Sequence, residues 1–206
     1  MILLDINSVS FWGRLLETFR QWDFSLFLKI NTQWTSPFLD GVFPWWREAS
    51  TWVPLYLFLL VFVFTNFGLR SARWMLILTI TITISDQLSS HVIKYAVNRP
   101  RPCNTEALLP YIRKLLGDCS NSPSFTSSHA TNHFAAAWFV FLTLKPWLKN
   151  YAYLFFFFFS TISFWQVYVC VHFPLDVICG GILGSVIGCT SAWVFNKYIR
   201  FYQKNE

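Results

Sequence analysis

At 206 residues the chain is about one domain long, yet 54% of it is hydrophobic and only 13% charged, against about 45–50% and 25% in an ordinary soluble domain. Aromatic residues make up 20%, with 23 Phe, 11 Trp and 8 Tyr, more than one small core buries but suited to lipid and its interfaces. The formal charge of +6 lies in short clusters between long uncharged stretches, which excludes nucleic-acid-coating, disordered and acidic regulatory proteins and points to a membrane protein.

The first 50 residues mix Asp5, Arg14, Glu17 and Arg20 among apolar residues, so no cleavable signal pattern is expected. Phe11, Leu15 and Phe19, with Trp12 and Leu16 beside them, form an apolar stripe opposite Arg14, Glu17 and Arg20. That stripe predicts an interfacial helix. Phe24 to Leu28 is too short to span a bilayer unless joined across Lys29 and Asp40, so a span before residue 51 stays open. Trp45, Trp46 and Trp52 are expected at headgroup level.

Thr51 to Leu69 gives 19 residues without a formal charge, enough to approach a hydrocarbon core of roughly 30 Å. Trp74 to Ile93 is a second span carrying Asp86 and His91, and Ala130 to Leu144 a third carrying His133. Asn150 to Val171 and Val177 to Asn196 follow. The Phe run at 155 to 159 reads as lipid-facing or packing surface. Gly180, Gly184 and Gly188 recur every fourth residue, where small residues let another helix approach closely. The expected fold is an all-α, polytopic membrane bundle of five to six transmembrane helices. Residues 1–50 form an N-terminal region, 51–199 a membrane domain with a long loop at 95–127, and 200–206 a tail.

The ends at 70–73, 145–149 and 197–206 fall on one side and carry seven Lys or Arg against the single acid Glu206. The positive-inside rule makes that side cytoplasmic, with the C-terminus. The long loop and the 172–176 turn then share the external face, although five basic residues lie there once Lys94 is included.

Three distant segments meet at that face. KYAVNRPRP holds Lys94, Arg99 and Arg101 between prolines that keep the backbone extended, which suits an anion or lipid headgroups. SFTSSHATNH lets Ser127 or Ser128 cap the third span and aim free N–H groups at the loop, with His129 in its first turn. A helix N-terminus of that kind binds anions. His129 and His133 share a face, but neither a third ligand nor an HExxH glutamate accompanies them, so a metal is not expected. CVHFPLDV puts His172 before Pro174, and Asp176 in the following first turn can orient the imidazole.

Taken together, these segments resemble the type 2 phosphatidic acid phosphatase family of membrane lipid phosphatases, related in fold to vanadium haloperoxidases. The family's lysine, six intervening residues and Arg-Pro match Lys94, Arg101 and Pro102. Its Pro-Ser-Gly-His appears as Thr126, Ser127, Ser128 and His129. Its third motif matches at His172 and Asp176, but Trp165 and Gln166 stand where Ser-Arg is usual. Gln166 replaces a charged bidentate donor by a neutral amide. Arg99 is the nearest compensating cation in sequence.

The resemblance implies that His172 attacks phosphorus to give a phosphohistidine, that His129 protonates the leaving oxygen, and that Asp176 orients His172. Lys94, Arg101, Ser127 and Ser128, with Arg99 and Gln166, would hold phosphate, and no metal or cofactor is required. It also implies a lipid phosphate as partner, in the inner membrane with the site external: undecaprenyl diphosphate, phosphatidic acid, phosphatidylglycerol phosphate or lipid A. Nucleic acid is not expected, and the oligomeric state is open. The competing class is a lipid-phosphate binding or transport protein that kept the pocket and lost turnover at Gln166. Asp86, an acid inside a span, is expected to support the polar helix ends. Cys103 and Cys119, both on the external loop, can close a disulfide in an oxidising compartment.

Overall fold

The computed structural model describes residues 10–117 and 119–201. Asp5, and Lys204 and Glu206 of the tail, lie outside the described residues. The described residues form helices joined by loops, without strands. In order come α1 (Phe11–Leu28), α2 (Pro37–Trp46), α3 (Val53–Phe67), α4 (Arg70–Gln87), α5 (Lys94–Val97), α6 (Ser128–Leu148), α7 (Tyr153–Tyr168) and α8 (Pro174–Val194). One π-helical stretch, Leu88–Ile93, joins α4 to α5.

Local chemistry sets the ends of these helices. The hydroxyls of Ser10 and Ser36 accept from Gly13 and Leu39 at the starts of α1 and α2, and Pro174 opens α8, as first-turn geometry favours. Asn98 takes the left-handed conformation and returns its N–H to the Lys94 carbonyl, which stops the helix just after Lys94.

The five expected spans correspond to α3, to α4 with its π and α5 continuation, and to α6, α7 and α8. Among the described residues, three helical stretches are long and apolar enough to cross a membrane: Ser50–Phe67, Arg70–Leu108 and Pro174–Ile199. Helix α6 forms the centre. Ala135, Ala137, Phe139, Val140, Thr143 and Leu144 are all buried, and the Trp74 indole of α4 donates to the Thr143 hydroxyl at 2.8 Å.

The glycines of α8 lie flat on α6, as their spacing predicts. A methyl group at Gly180 would come within 2.7 Å of the Ser127 carbonyl, and at Gly184 and Gly188 it would run into the carbonyls of Thr131 and Ala135. Main chain against main chain at this distance fixes the register of α6 on α8. The Phe run serves both expected roles, with Phe157 on the surface and Phe159 in the core.

Two of the three tryptophans also pack within the bundle. Trp45 is exposed, but Trp46 and Trp52 pack on each other and on Phe158, and Trp46 donates to the Thr161 hydroxyl. They fix α2 to α7 because the turn after α2 folds back across that helix. The first half of α1 exposes the expected apolar stripe of Phe11, Trp12, Leu15, Leu16 and Phe19. Its second half enters the bundle, where Phe24 and Phe27 pack against Phe173 and Asp23 is buried. Asn31 bonds the carbonyls of Tyr168 and Arg113, and Asp40 pairs with Arg113 and accepts from the Tyr168 hydroxyl. Residues 24–43 therefore share one core with the long loop and the end of α7.

Candidate active site

The long loop is stapled before it reaches the site. Cys103 and Cys119 are disulfide-bonded, and Asn104 donates to the Ser120 carbonyl at 3.0 Å. Arg101 then turns inward and is buried, with Nε on the Ser122 carbonyl at 2.8 Å and its second amino group on the Ser122 hydroxyl at 2.9 Å. Its remaining amino group lies 3.3 Å from the Val171 carbonyl and 3.4 Å from Nε2 of His172. Lys94, one helical turn before the Asn98 stop, is also buried, and its ammonium has no hydrogen bond or ion pair to a described residue.

His172 sits in the turn between α7 and α8, its backbone N–H and that of Val171 both donating to the Gln166 carbonyl. Asp176 lies one turn into α8, where its Oδ2 accepts the Phe173 N–H at 2.8 Å and its Oδ1 the Arg99 guanidinium at 2.8 Å. The expected direct bond to the imidazole is replaced. His172 Nδ1 and Asp176 Oδ2 are 3.6 Å apart, beyond hydrogen-bond range. The Ser124 hydroxyl lies between them, 2.5 Å from Oδ2 and 3.2 Å from Nδ1.

Proton positions follow from this geometry. The ionised carboxylate only accepts, so Ser124 donates to Asp176 and must accept from Nδ1–H. Nε2 then carries the lone pair and faces Arg101. Burial pushes the His172 imidazole down to about 4, with Arg101 and Lys94 acting in the same direction against Asp176, so the ring is neutral at physiological pH.

Arg99 is anchored between two acids. Its two amino groups bind Asp23 at 2.6 Å and Asp176 at 2.8 Å, and its plane lies 3.9 Å over the Phe173 ring. It holds the back of the Asp176 carboxylate, with one N–H of each amino group turned to a carboxylate. Asp23 also accepts the Leu175 N–H at 2.7 Å, which locks α1 to the start of α8.

The second motif completes the ring. The Ser127 hydroxyl accepts from Ala130, and the Ser127 N–H is spent on the Asp176 carbonyl at 3.0 Å. The N–H groups of Ser128 and His129 have no acceptor among the described residues. The Ser128 hydroxyl sits in a polar network with Ser89 at 3.1 Å and Ser90 at 2.8 Å, and Ser90 reaches the Asp86 carboxylate, which Asn132 also binds. Asp86 therefore supports the α6 N-terminus. His133 bonds the His129 carbonyl at 2.7 Å, and the charge of Lys94 reaches His129. Gln166 is fully buried with neither amide atom hydrogen-bonded.

Sequence reasoning missed Ser124, Ser122 and Asp23. Asp23 had left a signal, as a lone acid in an apolar stretch of α1. Ser124 and Ser122 had none, since loop serines are common. Among the described residues, no three His, Cys, Asp or Glu come together as a metal would require.

A ring of cations and helix-end amides around a tautomer-locked histidine fits phosphoryl chemistry, and the family model for the PAP2 superfamily matches residues 74–200. The chain belongs to the PAP2 superfamily. The lipid A 4'-phosphatase of Bacteroides thetaiotaomicron is 33% identical over 165 residues, which cover 78% of this chain and 69% of that protein. The lipid A 4'-phosphatase of Porphyromonas gingivalis is 28% identical, covering 80% and 69%. The crystal structure of Aquifex aeolicus LpxE superposes with a TM-score of 0.59 at 26% identity, covering 82% of this chain and 93% of that one. That of the PAP2 type phosphatidylglycerolphosphate phosphatase from Bacillus subtilis gives 0.64 at 19% identity over 90% of each chain, a likeness of fold. This PAP2 protein is an integral membrane phosphatase, a hydrolase acting on phosphoric esters.

Proposed function

We propose that the protein removes a phosphate monoester from a membrane lipid of the lipid A type through a phosphohistidine at His172. The chain of His172 Nδ1–H, Ser124 hydroxyl and Asp176 carboxylate carries this reading, because it leaves Nε2 as a neutral nucleophile at physiological pH. The phosphoryl oxygens would bind Arg101, Lys94 and the free N–H groups of Ser128 and His129, which offset negative charge as it spreads in the transition state.

In the first step Nε2 forms a bond to phosphorus as the bond to the lipid oxygen breaks, and His129 gives that oxygen its proton. Water then attacks the phosphohistidine, gives a proton to His129 and releases inorganic phosphate with His172 restored. His129 needs a proton in the first step; burial and the neighbouring cations push its imidazole down to about 3, and it is the negative charge of the bound phosphate dianion that draws the proton back. The relatives named for lipid A support that substrate over phosphatidic acid, phosphatidylglycerol phosphate and undecaprenyl diphosphate.

The site is assigned to the external face of the inner membrane, with the C-terminus cytoplasmic. The basic turns opposite the site and the disulfide in the site loop support this orientation.

The test is phosphate release in detergent with EDTA from these four lipids, by wild type, His172→Ala and His129→Ala. Release from lipid A that survives EDTA, with both variants reduced at least about a thousandfold and a phosphoenzyme absent from His172→Ala, is expected. Full activity in His172→Ala, or release that EDTA abolishes, overturns the mechanism.

A further inference from the structure

The pocket contains a cation that none of the three motifs supplies. Arg47 follows the last residue of α2, and α2 is fixed on α7 by the Phe43 ring stacked on Trp165 at 3.3 Å and by the Trp46 indole on Thr161. That places the end of α2 beside the part of α7 that leads into Gln166. The Arg47 side chain is 15% exposed, and its Nε is buried without a hydrogen bond. Its ion-pair partner is the mostly exposed Glu48 at 3.7 Å, a weak surface contact. The negative end of the α2 dipole explains a cation at this position, but not the burial of an Nε–H with no acceptor.

Arg47 also faces other cations. Its charge reaches Arg101 and His129, so cations from the end of α2, the long loop and the start of α6 lie near one another. The Asp176 carboxylate nearby is already taken by Arg99, Ser124 and the Phe173 N–H. Like charges turned on one space in a half-dry site repel one another unless an anion joins them. Gln166, next in sequence to the Trp165 on which Phe43 stacks, keeps both amide atoms buried and unpartnered.

We propose that Arg47 is a phosphate-binding residue, which supplies from α2 the guanidinium that the family motif places at position 166. The Gln166 amide beneath it would donate to the same phosphoryl group. The exchange is spatial: an arginine at 166 would have to share the site with Arg47, whereas a glutamine fills the position without a second like charge. This inference rests on the phosphatase reading above and adds a residue to it.

The test compares wild type with Arg47→Gln, Arg47→Lys, Gln166→Arg and the double variant Arg47→Gln with Gln166→Arg. It reads kcat/KM on lipid A, and the inhibition constants of inorganic phosphate and orthovanadate. Loss of a charge-assisted contact predicts a fall of about 10- to 100-fold in kcat/KM for Arg47→Gln, with both anions weakened in parallel. The double variant should regain at least part of that loss, which a merely structural role for Arg47 would not allow. Free phosphate weakened along with the lipid assigns the contact to the phosphoryl group, whereas a loss confined to the lipid overturns the proposal. Unchanged kinetics in Arg47→Gln, with an active wild type, overturns the Arg47 assignment and leaves the phosphatase reading standing. An inactive wild type that binds neither anion overturns both. If Arg47→Gln does not fold, Arg47→Lys decides: a point charge for a bidentate fork predicts roughly 3- to 10-fold weaker anion binding, and unchanged binding overturns the proposal.

Discussion

Ser124 shows how much a single hydroxyl decides. It stands between an imidazole and a carboxylate that are 3.6 Å apart and are therefore too distant to bond. Ser124→Ala should leave the fold intact and lower kcat/KM roughly 10- to 100-fold, the worth of one hydrogen bond to a developing charge, mainly through kcat. An unchanged kcat would show that Asp176 orients His172 without the hydroxyl. The imidazole itself makes a pH prediction. Its folded value is about 4 and its unfolded value about 6.5, so between these the unfolded chain binds more protons. Stability from this group is present above about 6.5 and is lost as pH falls towards 4. Nitrogen NMR of labelled histidine should therefore find, among the rings still neutral at pH 5.5, one that is protonated at Nδ1 and missing in His172→Ala. That variant should also lose less thermal stability than wild type between pH 7 and 4.5.

At the scale of elements, the site is a junction of helix ends. Helix α6 brings His129 and two free N–H groups, α8 brings Asp176, and the Ser127 N–H bonds the Asp176 carbonyl across the two. What sets their distance is the contact of Gly180, Gly184 and Gly188 with the α6 backbone. Gly184→Ala puts a methyl group against the Thr131 carbonyl, where main chain rather than a flexible side chain must yield. We expect a loss of about 1–3 kcal/mol, read as a lower melting temperature, together with reduced activity because His129 and His172 move apart. Gly41→Ala, with open space around its Cβ position, is the control and should change neither.

The whole molecule combines a lipid-facing exterior with a polar end. Exposed Leu57, Phe58, Val61, Ile182 and Val186 coat α3 and α8, whereas the buried charges Lys94, Arg101 and Asp176 gather at one pole. If that pole is external, Asn121→Cys in the long loop should react with a membrane-impermeant maleimide on intact cells. Asn150→Cys, in the turn between α6 and α7, should react only after the membrane is opened. The reverse pattern would place the site in the cytoplasm and leave the phosphatase chemistry untouched.

Uncharged runs and short basic turns determined five of the helices, because each apolar stretch meets lipid or core on its own account and needs no distant partner. The spacing of Lys94 to Arg101, and of His172 to Asp176, likewise made most of the cation and histidine set legible, since those residues lie within a few helical turns of each other. The glycine spacing on α8 was equally readable, a periodic pattern being local by nature. Only the tertiary structure decided the rest. That Arg99 pairs with Asp23 depends on a helix 76 residues away in sequence. Ser124 enters the relay through contacts 48 and 52 residues distant. Trp46 became a packing residue because α2 folds back on α7. In each case the free energy of a polar or aromatic group is set by what surrounds it after folding, and a single sequence carries no local signal of those surroundings.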